Sequence, residues 1–258
     1  MATPPRTAGT HRAVAALVGA LFLNAILFLF LGEALYRPVL ASPDVLSLAH
    51  PQRNVVTAGI LLEWVATVPL ILLIPVLLYP VLRPHGEALA VGYLAFRLLE
   101  AACLTLADAG KLALVGLSQA YLDAGAGASD FQPVAQAILA AARPVDSAGI
   151  LYNIAFAAAA LTLHAALYRS RLVPRLISGW GFLAAALLMA GAVLAAFAAL
   201  PAALQVAIWM PTALNEIALA LWLIVRGFAP AALAAGGAAA PGQPRPISTS
   251  PPRRRGAS

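Results

Sequence analysis

The chain has 258 residues, of which 62% are hydrophobic and only 10% charged, against about 45–50% and about 25% in soluble domains. That balance, with a mean hydropathy of +0.88, excludes a water-soluble globule, and a single cysteine, Cys103, excludes a disulfide scaffold. The net charge of +6 is not a nucleic-acid footprint, because the arginines fall between and beyond the apolar runs, where membrane topology places them.

Apolar runs bounded by charge, Pro or Gly predict six transmembrane helices near residues 13–32, 55–79, 88–110, 148–169, 176–200 and 204–227. Each has the ~20 residues that a helix needs to cross a ~30 Å hydrocarbon core. Runs such as Leu183 to Leu200 show no alternation of polarity, so membrane strands are excluded. The expected fold class is all-α, a polytopic six-helix transmembrane bundle whose partner is the lipid bilayer.

Residues 1–12 form a short tail. The first run follows Arg6 and Arg12 and ends near Gly32-Glu33-Ala34, which loosely resembles a signal-peptide cleavage site. Its apolar stretch exceeds the ~7–15 residues of a signal h-region, so it is read as an uncleaved helix. The second span combines Glu63 with Pro69, six residues on. The third holds Arg97 and Glu100, with Asp108 and Lys111 toward its far end. After it comes a long loop, 111–147, in which Val134, Ile138 and Ala141 share a helical spacing. Either a short interfacial helix over Phe131 to Ala142 or an irregular loop fits. The fourth span carries His164 and the fifth Gly179, Gly181 and Gly191, small residues suited to close helix packing. The sixth combines Pro211 with Asn215 and Glu216. From Phe228 the chain turns into Ala, Gly, Pro and Ser and closes with Arg253-Arg254-Arg255, so residues 228–258 are expected to be a disordered basic tail.

Orientation follows from counting Lys and Arg on alternate sides. Eleven lie on the side of the two termini, and four, Arg37, Arg53, Lys111 and Arg143, on the other. This predicts cytoplasmic termini.

The third span is the most informative. A central charge costs ~2.5–3.5 kcal/mol on insertion scales, more than its leucines return at ~0.5 kcal/mol each, so this helix depends on its neighbours. Tyr93, Arg97, Glu100, Leu104, Asp108 and Lys111 recur at the 3.6-residue period and form one polar stripe, which must face the bundle interior. At ~1.5 Å per residue, Arg97 and Glu216 lie at a shared depth of about 15 Å from the terminal side, with Glu100 and Glu63 somewhat deeper. Arg97 and Glu216 are therefore expected to pair, Glu100 being the rival partner. The candidate polar cluster is Glu63, Arg97, Glu100, Glu216 and Asn215, with Asn24, Thr67, Asn153 and Thr212 available to it. Prolines beside buried acids in the second and sixth helices are a feature of transporter sites. Such a cluster also serves simply to fix helix packing, and both readings stand.

No cofactor or metal site is expected. Of four histidines only His164 lies in a span, while His11, His50 and His85 lie outside, so paired imidazole ligands are missing. There is no HExxH stretch and no phosphate-binding glycine loop. Ser118 and His164 lie near opposite interfaces, too far apart for a nucleophile–base pair, so no catalytic residue is assigned.

The run Phe96-Arg97-Leu98-Leu99-Glu100-Ala101, the segment from Tyr168 to Arg175 followed by Gly179, and the last helix with Pro211, Glu216, Trp222 and Gly227 resemble the bacterial membrane family called domain of unknown function 4386. The resemblance spans about residues 12 to 229 and implies a six-helix protein of the bacterial inner membrane. It implies no substrate or catalytic residue. The stretch Ala141 to Gly149 departs from the aromatic, histidine-containing turn that the resemblance leads one to expect there. Two functions compete: small-molecule or ion handling through the Glu/Arg cluster, and a structural or accessory membrane subunit.

Overall fold

The computed structural model describes residues 6–125 and 130–238, with side chains over 9–125 and 130–236. Ten α-helices account for nearly all of these residues: α1 (Arg6–Leu40), α2 (Val45–Leu48), α3 (Arg53–Leu62), α4 (Val68–Leu82), α5 (Glu87–Asp123), α6 (Phe131–Ala142), α7 (Ile150–Ser170), α8 (Arg175–Ala195), α9 (Ala202–Val225) and α10 (Pro230–Ala238). Six helical stretches are long and apolar enough to cross a membrane, the second running from Arg53 to His85 through α3 and α4. This is a multi-pass helical membrane protein.

Several helices outrun the spans predicted for them. The 35 residues of α1 and 37 of α5 reach about 50–55 Å, well beyond a ~30 Å hydrocarbon core. Residues 33–40 and 111–123 are therefore helical where connecting loops are expected, because helices that leave the bilayer find apolar partners beyond it. There α2, α6 and the ends of α1, α3 and α5 bury Tyr36, Val45, Leu46, Ile60, Leu114 and Ala135 as a separate cap. Phe131–Ala142 is a helix packed on α5. At the other end, Phe228 and Ala232 are buried in the main core and Ala229 N–H donates to the Leu172 carbonyl at 2.9 Å. The expectation of disorder from Phe228 is thus corrected for residues 228–238. Residues 1–5 and 239–258, with Arg245 and the terminal arginine triplet, lie outside the described residues.

The six spans form a ring in which each packs on the next in sequence, and α9 packs back on α1 to close it. Close backbone approach at small residues sets this order. A Cβ on Gly19 would stand 2.5 Å from the Ala220 carbonyl oxygen across the α1/α9 seam, and one on Gly32 would stand 2.7 Å from the Gly59 carbonyl oxygen across α1/α3. In α8, Gly181 makes room for His164 and Asn215, and Gly191 for Ile208. Those glycines serve packing within the chain.

Between α3 and α4, Glu63–Thr67 forms a π-helical turn just ahead of Pro69. Proline supplies no N–H and crowds the carbonyl four residues back, and a widened turn relieves both. Buried apolar residues of α1, α4, α5, α7 and α9, including Val18, Ile74, Leu78, Tyr93, Leu163, Leu219 and Leu223, plug the ring at the end where the chain termini lie.

Candidate functional site

On the ring axis, above the apolar plug, lies a cavity of about 820 Å³ to which all six spans contribute. Arg97 and Glu100 reach it from α5, Glu216 and Trp209 from α9, Thr67 from the π turn, Tyr152 and Phe156 from α7, Phe22 and Phe30 from α1, and Leu188 from α8. It extends to Glu33, Arg37 and the turn 143–149 at the end opposite the termini. Its walls are mostly apolar, with Phe30 and Trp209 in edge-to-face contact at 5.8 Å.

Arg97 organises the charged floor. Its Nη1 donates to both oxygens of Glu100, at 3.0 and 3.1 Å, its Nη2 to Glu216 Oε1 at 3.2 Å, and its Nε to the Tyr93 hydroxyl at 3.3 Å. Tyr152 donates to Glu100 Oε1 at 3.3 Å. The guanidinium carbon also lies 5.4 to 5.8 Å from the ring centres of Phe22, Tyr93 and Phe156, within cation–π range. Arg97 and Glu100 are 3% and 1% exposed, while the Glu216 side chain keeps 14%. Glu216 Oε2 has no hydrogen-bond partner among the described residues. Both expected partners therefore hold Arg97 at once, since a guanidinium has donors enough for two carboxylates.

Two members of the expected cluster belong elsewhere. Glu63 does not join Arg97; its Oε2 meets Lys111 Nζ at 3.4 Å, in a second cluster at the far end of α5. Lys111 Nζ also donates to the Tyr36 hydroxyl at 2.8 Å and to Asp108 Oδ1 at 3.0 Å, and it pairs with Asp146 Oδ1 at 2.9 Å. Sequence depth missed this grouping because Lys111 lies just past the predicted span, whereas α5 continues and buries it. The polar stripe already held Asp108 and Lys111, but nothing in the sequence marked Tyr36, Asp146 or Tyr152. Asn215 faces α8 and donates to the Ile177 carbonyl at 2.9 Å. Asn24 and Asn153 bond carbonyls four residues back, and the Thr67 and Thr212 hydroxyls have no partner, so none of the four hydrogen-bonds to the cluster. His164 is buried, with its Nδ1 unpartnered.

The two clusters differ in access. None of Glu63, Asp108 and Lys111 lines the cavity and all three are buried, although the Asp146 side chain that pairs with Lys111 keeps 35% exposure, and Glu63 Oε1 and Asp108 Oδ2 lack partners among the described residues. Arg97, Glu100 and Glu216 border open space. Among the described residues no group of three His, Cys, Asp or Glu side chains could hold a metal ion.

The family described as Domain of unknown function (DUF4386) matches residues 17–227. The chain belongs to this family. The match covers five spans in full, the first span except its start, and both charged clusters. Comparison with curated proteins and with solved structures returns no match.

Proposed function

We propose that this DUF4386 protein binds a small amphiphilic molecule in the axial cavity, with the ligand's polar end on the Arg97–Glu100–Glu216 floor and its apolar part against the aromatic walls. The observation that carries this is the meeting of the three groups with a cavity of about 820 Å³, inside the ~300–1,000 Å³ range of small-molecule pockets. Concave, mostly apolar walls with a few convergent polar groups are the usual form of such sites. One guanidinium set against two carboxylates, with Glu216 Oε2 unpartnered, suits a ligand head that donates hydrogen bonds or carries positive charge. Pro211 lies in α9 between the loosely packed half from Ala202 to Met210 and the buried half that holds Glu216. A proline one turn from a buried acid fits handling of a ligand from the membrane, and the family resemblance points to the bacterial inner membrane. A packing role is favoured for the Lys111 cluster alone.

The test is titration of the purified protein with tetraphenylphosphonium, an apolar cation, followed by tryptophan fluorescence. Saturable binding is expected, weakened about tenfold (about 1.4 kcal/mol) by Glu216→Gln, which removes a carboxylate charge facing the cation. Binding should also be weakened by Ala213→Phe, which puts a ring into the cavity that Ala213 lines. Non-saturable partitioning, or equal affinity in all three proteins, would overturn the reading.

A further inference from the structure

A second concavity, of about 570 Å³, lies at the terminal end of the bundle between the α7–α8 connection and the α9–α10 turn. Arg171, Arg175 and Arg226 line it together with Trp222 and Pro230. All ten acidic residues of the chain fall within the described residues, yet none forms an ion pair with any of these arginines. Glu87, the carboxylate of this end, pairs with Arg83 at 3.1 Å. The pocket thus gathers three cations with no internal anion.

Its backbone has the same polarity. The 21-residue α8 starts at the pocket behind Pro174, with no side chain capping its first turn, while α10 starts there at Pro230, which has no N–H to offer. Helix N-termini present unsatisfied N–H groups and the positive end of the helix dipole. The negative ends nearby are covered. Arg12 donates to the Leu223, Ile224 and Val225 carbonyls that end α9, at 3.0, 2.6 and 3.1 Å. Arg171, in the left-handed region at φ 56°, closes α7 by donating its N–H to the Leu167 carbonyl at 3.1 Å. The Ala229 N–H to Leu172 carbonyl bond ties the two walls together. Trp222 on the rim is the residue type that settles at headgroup level.

We propose that this pocket binds a phosphate group at the membrane surface, held by Arg171, Arg175 and Arg226 and by the N-terminus of α8. Guanidinium groups and helix N-termini are the two protein features best matched to phosphate oxygens. The phosphate comes from an anionic phospholipid headgroup or from free phosphate, and the experiment separates these sources. The site is remote from the axial cavity and does not depend on what that cavity binds.

The detergent-purified full chain is melted with added phosphatidylglycerol, phosphatidylcholine or inorganic phosphate. Phosphatidylglycerol is expected to raise the melting temperature by roughly 5 °C, as near-saturating occupancy would. The pair Arg171→Asn and Arg226→Gln should lose at least half of that rise; Asn is chosen because it tolerates the left-handed backbone. The control pair Arg83→Gln and Arg169→Gln removes the same charge outside the pocket and should keep the rise. A rise with inorganic phosphate that the pocket pair abolishes would assign free phosphate as the source. An equal rise in wild type and pocket pair, or an equal loss in both pairs, would overturn the proposal, because either result assigns the effect to surface charge at large. Should the pocket pair melt too low to compare, native mass spectrometry counts the phosphatidylglycerol retained per chain. Fewer bound lipids in the pocket pair than in the control pair are expected, and equal numbers would overturn the proposal.

Discussion

Arg97 holds two carboxylates, so removing different members of the cluster leaves different debris. Without Arg97, Glu100 and Glu216 remain as buried acids with no cation, and unpairing a buried charge costs about 3–5 kcal/mol. Without the Glu216 charge, Arg97 still has both oxygens of Glu100 at 3.0 and 3.1 Å. Arg97→Gln should therefore lower the melting temperature in detergent well below that of Glu216→Gln. Adding Glu216→Gln to Arg97→Gln should recover only part of the loss, because Glu100 is left with Tyr152 alone. Melting curves of the four proteins check this order. Equal losses from the two single substitutions would mean that Glu100 does not support Arg97.

Among the elements, α5 has the highest insertion cost and the most neighbours to offset it, packing on α4, α6 and α7. Its stripe turns inward along two i,i+3 ion pairs, Arg97–Glu100 and Asp108–Lys111, while Leu98, Leu99 and Leu106 stay exposed on its outer face. At ~2.5–3.5 kcal/mol for each central charge, residues 88–110 placed between neutral flanks should insert poorly in a translocon assay. Replacing Arg97 and Glu100 by Leu should restore insertion. Efficient insertion of the unaltered segment would show that the charges need no partners from the ring.

For the whole molecule, the apolar plug lies at the terminal end and the cavity lining reaches Glu33, Arg37 and the turn 143–149 at the other, so orientation decides which compartment lies on the cavity side. Because Lys111 is buried in α5, the basic count on the side away from the termini falls from four to three. The asymmetry that predicts cytoplasmic termini is thereby larger. An impermeant thiol reagent added to intact cells should modify Asp123→Cys and spare Arg169→Cys, both in a Cys103→Ala background. The reverse pattern would place the cavity side toward the cytoplasm instead.

Residue pattern alone determined the all-α class, the six spans, the inward stripe of α5 and the match in depth of Arg97 with Glu216. These are one-dimensional properties: hydropathy along the chain, the 3.6-residue period and the rise per residue follow from local geometry. Tertiary structure decided which groups meet sideways. Glu63 pairs with Lys111 and not Arg97, Asn215 turns to α8, and Asp146 reaches Lys111 from a connecting turn. Such choices depend on the order and rotation of helices around the ring, which close backbone contacts such as Gly19 with Ala220 and Gly32 with Gly59 enforce. The cavity was illegible for the same reason, since open space on an axis belongs to six helices at once and to no segment of the sequence.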